Sequence, residues 1–259
     1  MRSPSSRNDT FRQLAMAVAV SVLAAPTGCT GSRAPAALPP PKRDAPARLD
    51  VRGKIVTTYI LFEVTHMLHT MRDGEILELV TSPFAAIEPD VLAWSRMTGQ
   101  VLLKVERSDS LSRYYIEKAP WQFQRKRVAI VISDPGLEEL LSPLGLALSA
   151  ALTGAEVHVF FQGPAVHVLE RGFRASLHGT FRWLFSRFAR NGLAQIGHLP
   201  PDEKLSQLHE LGARFYACGP SLEHFGVERR SLAFNDVIVS EYLTFIEQMR
   251  SADLALLVQ

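Results

Sequence analysis

Cysteine is scarce in this chain: Cys29 and Cys218 are the two present in 259 residues. A disulfide between them is not expected, because Cys29 lies in a segment that reads as unfolded. Long apolar runs are missing as well. None reaches the ~18 residues that argue for a membrane-spanning helix. Charge of one sign is nearly absent: 28 Lys and Arg against 26 Asp and Glu leave a formal net charge of +2, which makes no case for a nucleic-acid partner. Neither a P-loop nor a glycine-rich dinucleotide fingerprint occurs, so nothing supports nucleotide chemistry or a bound cofactor. What remains is an ordinary globular composition, 47% hydrophobic and 21% charged. The chain is long enough for one large domain or two small ones, each with its own core.

Residues 1–48 stand apart. Arg2, Arg7 and Arg12 precede an apolar run from Leu14 to Ala25, followed by Pro26-Thr27-Gly28-Cys29. A basic start, about a dozen apolar residues and then small residues is the form of an export signal. Gly28-Cys29 is similar to a bacterial lipoprotein processing site, although Pro26 stands where that pattern has a leucine-like residue. Thr30 to Arg48 is rich in Pro and Ala and reads as a semi-rigid linker. An N-terminal extension without a role in export, or a start placed too far upstream, is the alternative.

From Leu49 to Lys118 the periodicities predict β-α-β-α-β-β. Thr58 to Met71 carries apolar residues at helical spacing and Arg72-Asp73-Gly74 stops it. Glu75 to Thr81 alternates as a strand. Ala85 to Met97 is a second helix, with Pro89 interrupting it early and Val91, Leu92 and Trp94 as core. Gln100 to Arg107 and Arg113 to Lys118 are strands around an Asp109-Ser110 turn. Two helices on one sheet face make an α/β sandwich. Leu49-Asp50-Val51-Arg52-Gly53, Asp73-Gly74-Glu75 and Ile87 to Gly99 with Trp94 and Thr98 resemble the TusA (SirA-like) sulfur carriers, nearly end to end over 49–118. Their opening strand leads into a C-P-x-P motif whose cysteine carries the persulfide. Val56, Thr57, Thr58 and Tyr59 occupy those positions here, without the cysteine or either proline. The resemblance therefore implies a docking or structural domain that has lost the chemistry. His66 and His69 share a helix face, but two histidines are a weak metal signal, so they read as surface residues and no metal site is expected.

Residues 119–126 form a short basic junction. Arg127 to Ser133 is a near-continuous apolar run, the mark of a parallel strand buried on both faces. Helix Leu137 to Thr153 and strand Glu156 to Phe161 complete a βαβ unit. A helix over Asp202–Leu211, a strand over Arg214–Cys218, a helix over Glu241–Arg250 and a strand over Ala252–Val258 follow. Phe173, Leu177, Phe181, Leu184, Phe185 and Phe188 recur at helical spacing with arginines between them. That pattern predicts an amphipathic helix over 173–190, packed on its own core or, in the alternative, on a membrane or a partner. His158, His167 and His178 read as satisfied or exposed.

The stretch that organises this half is Phe215 to Val227. A buried strand ends at Cys218, Gly219 permits a tight turn, Pro220 suits a first helical position, and Gly226 ends a short helix. A thiol at a helix N-terminus has its thiolate favoured by unpaired N–H groups; the alternative is an inert, small, buried residue. Cys218 falls at the carboxyl end of a strand, where open α/β sheets hold their ligands. His224, a turn away, is not expected to act as a base.

The opening strand, Phe160 to Gly163, the Tyr216-Ala217-Cys218-Gly219-Pro220-Ser221 turn, Gly226-Val227 and Ala252-Asp253 resemble the DsrE/DsrF-like family over 127–259. That resemblance implies a mostly parallel, three-layer α/β domain. It also implies a sulfur-relay function in which Cys218 accepts sulfane sulfur as a persulfide, with Gly219 and Ser221 supporting the thiolate. The implied partner is a sulfur-carrier or other thiol protein, within a homo- or hetero-oligomer. The resemblance favours the cytoplasm. The alternative is a non-catalytic binding or assembly protein, exported or anchored through its N-terminal segment.

Overall fold

The computed structural model describes residues 46–258 apart from 124, 125, 178–181 and 196. The signal-like segment with Cys29, and His178, lie outside the described residues.

The first half contains β1 (Ala47–Asp50), α1 (Thr57–His69), β2 (Ile76–Thr81), α2 (Ile87–Thr98), β3 (Val101–Arg107) and β4 (Ser112–Glu117), the order expected from the periodicities. β1 begins two residues inside the stretch read as linker. The sheet runs β1-β2-β4-β3, with β1 parallel to β2 and the other pairs antiparallel. Alternation sends Leu77, Leu79, Tyr114 and Ile116 to one face, where they pack with Ile60, Val64, Leu68, Val91 and Trp94 of the two helices. Each such buried side chain contributes about 1.5–3 kcal/mol. The other face is ionic: Arg113 reaches Glu78 at 3.4 Å and Glu106 at 3.6 Å. Pro89 does not interrupt α2. It sits in the first turn, where no intrahelical N–H is needed. Leu92, expected in the core, is exposed on the outer side of that helix.

The second half contains β5 (Arg127–Ile132), α3 (Leu137–Leu152), β6 (Glu156–Phe161), α4 (Arg182–Gln195), α5 (Pro201–Glu210), β7 (Arg214–Cys218), α6 (Gly219–His224), β8 (Ile238–Ser240), α7 (Tyr242–Arg250) and β9 (Leu254–Val258). The sheet is parallel throughout, in the order β8-β7-β6-β5-β9. Ile130, Ile132, Val159, Phe161, Phe215 and Ala217 face α3 and α5, in a core continuous with that of the first half. Ala129, Val131, Phe160, Tyr216 and Cys218 face the other way, against Phe245 of α7.

Three features depart from the sequence reading. The strand β8 and a 3₁₀ helix at Gly163–Leu169 were not anticipated. Of the amphipathic pattern at 173–190, residues 173–177 are not helical, whereas α4 holds Arg182 onward and continues to Gln195. Residues 173–177 spend their backbone on other contacts: Ser176 O accepts the Leu137 N–H at the start of α3, and the Leu177 N–H donates to Ser186 Oγ. Phe188 of the stripe is 70% exposed. Finally, the junction is a packed strap. Trp121 stacks on His69 at 4.9 Å and on Phe123 at 5.2 Å, and meets Trp94 edge-on. His69 is thus half-buried, where a surface position was expected. Burial, with the nearby charges of Lys118 and His66, pushes its imidazole down to about 4.

Candidate functional site around Cys218

The site forms where four parallel strands, β5 to β8, end. β7 is apolar and buried from Phe215 onward. It delivers Cys218 as the N-cap residue of α6, with Gly219 and Pro220 as the first two helical residues. Leu222 anchors this short helix in the core, and Gly226, at φ +66°, turns the chain out of it. The predicted strand–turn–helix is therefore present at Cys218. Ser221 Oγ accepts the Gly163 N–H at 2.9 Å, which ties α6 to the turn that follows β6. Gly219 lies against β8, its nearest neighbour there being Val239.

Register places polar side chains beside the thiol. Cys218 pairs with Ser240 across β7 and β8. Phe160 pairs with Tyr216 on the α7 face, so two residues further along Gln162 adjoins Cys218 on that face. Ser133 stands next in line after β5, and the Gln162 amide donates to its Oγ at 2.9 Å. Ser133, Gln162, Cys218 and Ser240 make a polar row along the carboxyl ends of β5 to β8. Two atoms in it, Gln162 Oε1 and Ser240 Oγ, are buried with no hydrogen-bond partner among the described residues. Buried polar atoms are ordinarily satisfied, and these two retain unused hydrogen-bonding capacity beside the sulfur.

The thiol is covered. Cys218 is 2% exposed, in a cluster with Val131, Phe160, Tyr216 and Phe245. Deeper along the same face His158 Nδ1 meets the Tyr216 hydroxyl at 3.0 Å, and its Nε2 lies 2.9 Å from Glu156. Burial pulls the His158 imidazole down, although Glu156 opposes that. His167 is bound by Glu170 at 2.7 Å. His167 is thus satisfied, as read, while His158 is bonded through Nδ1 and has Glu156 beside its Nε2 without a well-formed hydrogen bond there. His224 is exposed at the far end of α6, edge-on to Phe225. Among the described residues no group of three His, Cys, Asp or Glu could hold a metal ion, and no helix is long and apolar enough to cross a membrane.

Sequence reasoning named Cys218, Gly219 and Ser221 but not Ser133, Gln162 and Ser240, which the fold brings into the same row as the cysteine. The first two end apolar strands of a parallel sheet, a signal that was available. For Ser240 there was none, since a three-residue strand has no readable period.

No curated protein matches the chain. Among solved structures, the ychN protein from E. coli matches at 14% identity over 51% of this chain and 98% of its own, with a TM-score of 0.36. Residues 126–256, which carry the parallel sheet and Cys218, match the DsrE/DsrF-like family; they are 131 of 259 residues, and the chain belongs to that family.

Proposed function

We propose that the protein is a sulfur-relay protein that accepts sulfane sulfur on Cys218 and passes it to a partner thiol. The observation that carries this reading is the placement of Cys218 between a buried parallel strand and α6, in a row with two orphaned polar atoms. The association of DsrE/DsrF-like proteins with sulfur relay supports it. In the first step the Cys218 thiolate attacks the outer sulfur of a donor persulfide. A new S–S bond forms, the donor's S–S bond breaks, and the donor leaves as a thiolate. An acceptor thiolate then attacks the outer sulfur and regenerates Cys218. No external oxidant or reductant is consumed. The Gly219 N–H and the Ser221 hydroxyl would support the anionic sulfur. Ser221 Oγ accepts from Gly163 and so keeps its own proton to donate.

The first half, residues 49–118, reads in this proposal as a carrier-like domain without carrier chemistry, joined through 119–126 to the domain at 127–259. Val56 holds the N-cap position of α1. The residues after it are engaged with the second half: Thr58 Oγ1 lies 3.0 Å from Ser149 Oγ of α3, and buried Tyr59 lies beneath the ammonium of Lys204 from α5. These contacts are on the α3 face, whereas Cys218 faces α7. Sulfur would thus come from another molecule.

The cover over Cys218 favours a second reading, a binding or assembly protein with an inert cysteine. Intact-mass analysis after exposure to a sulfane-sulfur donor decides between them. Gain of one sulfur atom, reversed by a reducing thiol and absent in Cys218→Ser, supports relay. An unchanged mass, also in a variant whose thiol reacts freely with a disulfide reagent, leaves the assembly reading.

A further inference from the structure

Cys218 is buried, yet a relay thiol has to be reached by another sulfur. The helix over it is fastened unevenly. α7 joins β8 to β9, the two edges of the parallel sheet, so it crosses the face formed by β7, β6 and β5. It starts beside the thiol, because Ser240, two residues before Tyr242, pairs with Cys218. It ends at the opposite end of the strands, where Leu254 pairs with Val128.

The end far from the thiol is held by several bonds. Arg127 Nη1 donates to Ser251 Oγ at 2.5 Å, and Nη2 of the same guanidinium donates to Glu156 at 2.8 Å. The Arg127 N–H donates to the Asp253 carboxylate at 2.8 Å, and the Asp253 N–H donates to Arg127 O at 2.9 Å. Lys126 pairs with Asp253 at 3.2 Å, and Met249 and Ala252 pack on the sheet. The end beside the thiol has little of this. Residues 241–244 are all exposed, Leu243 by 83% and Tyr242 by 58%. The Glu241 side chain forms no N-cap bond, and Tyr242 meets Phe160 edge-on at 6.0 Å. Segments with few buried apolar contacts open first while the rest of a protein stays folded.

We propose that α7 is a hinged lid that pivots on residues 251–253 and lifts at Tyr242, opening Cys218 to a partner without unfolding the sheet. Lifting parts the ring of Phe245 from Phe160 and Tyr216 and leaves the Arg127 bonds in place. Such a lid serves the relay reading, on which its purpose rests.

The test is the rate at which iodoacetamide alkylates Cys218 in the full chain, followed on the Cys218 peptide by mass spectrometry. Tyr242→Ala removes the ring contact at the free end and raises the rate about two- to tenfold. Ser251→Ala removes the hinge bond from Arg127 and changes the rate less than about twofold. In wild type, urea below the unfolding transition accelerates alkylation with a much smaller slope than global unfolding, because a lid exposes little surface. The lid is overturned if Tyr242→Ala leaves the rate unchanged or if Ser251→Ala accelerates it as much. A urea slope equal to that of global unfolding also overturns it, since the thiol is then reached only through the unfolded chain. Alkylation reports access alone. A Cys218 that opens in this way but takes up no sulfur overturns the relay reading and not the lid.

Discussion

The ring of Phe245 stacks on Phe160 at 4.9 Å, with the planes 17° apart, and this contact holds α7 over the sheet face where Cys218 lies. Phe245 is the one side chain of α7 that is fully buried; Tyr242, Leu243 and Ile246 are exposed. The cover over the thiol therefore depends on a single aromatic anchor. Phe245→Ala is expected to raise the rate at which a disulfide reagent modifies Cys218 by at least about tenfold, while costing about 3–5 kcal/mol of stability. Thiol-release kinetics and a urea titration read the two effects separately. An unchanged reaction rate would show that something other than α7 shields the sulfur.

Gln162 separates a reacting site from ordinary packing. Its Oε1 is buried without a partner while its amide donates to Ser133 Oγ, so Gln162→Leu removes one unsatisfied atom together with one hydrogen bond and is expected to cost no more than about 1 kcal/mol. In the relay reading the same change removes an amide beside the sulfur, and the persulfide on Cys218 is expected to decay several-fold faster. Mass spectrometry after donor removal measures the decay. Equal decay in both proteins would mean that the amide does not touch the outer sulfur.

The strap between the halves has its own signature. Gly154, at φ +80°, lies where an added Cβ would overlap the ring of Phe123, whereas Gly212, at φ +86°, faces open space. Both alanine variants incur the left-handed backbone cost of about 1–2 kcal/mol. Gly154→Ala is expected to cost clearly more, and the excess should vanish when Phe123 is also replaced by Ala. Denaturant midpoints of the three variants provide the comparison.

His69 gives a pH dependence of definite sign. Its folded pKa, about 4, lies below the ordinary 6.5, so between these values the unfolded chain binds the proton first. The stabilisation from neutral His69 is complete above about pH 6.5 and is lost as pH falls toward 4. His69→Phe, which retains a ring against Trp121, is expected to flatten the urea midpoint in that window relative to wild type. Identical profiles would dismiss His69 as a contributor.

Lys204 acts at the other end of the scale. It is fully buried, donates to Leu141 O at 3.2 Å, and burial lowers its pKa from 10.5 to about 8. The unfolded chain holds this proton more tightly, so stability rises as pH increases from about 8 to 10.5. Lys204→Met retains the stem packing and should remove that rise, as a pH series of denaturation curves would show.

Much of the fold was legible in the sequence because it is written in short-range patterns. Period-two alternation in Ile76–Thr81, the unbroken apolar run of β5 and the glycine stops at Gly99, Gly154 and Gly226 act over a few residues. Cys218-Gly219-Pro220 likewise states a strand, a turn and a helix start in consecutive positions. What only the tertiary structure decided involves partners distant in sequence. Phe245 covers a cysteine 27 positions earlier. Ser240 reaches Cys218 through a strand too short to show a period, and Trp121 turns an apparent linker into packing for His69 and Trp94. Local propensity fixes which residues begin and end an element. Which side chains are covered, orphaned or paired is fixed by the sheet register and the shared core that bring those elements together.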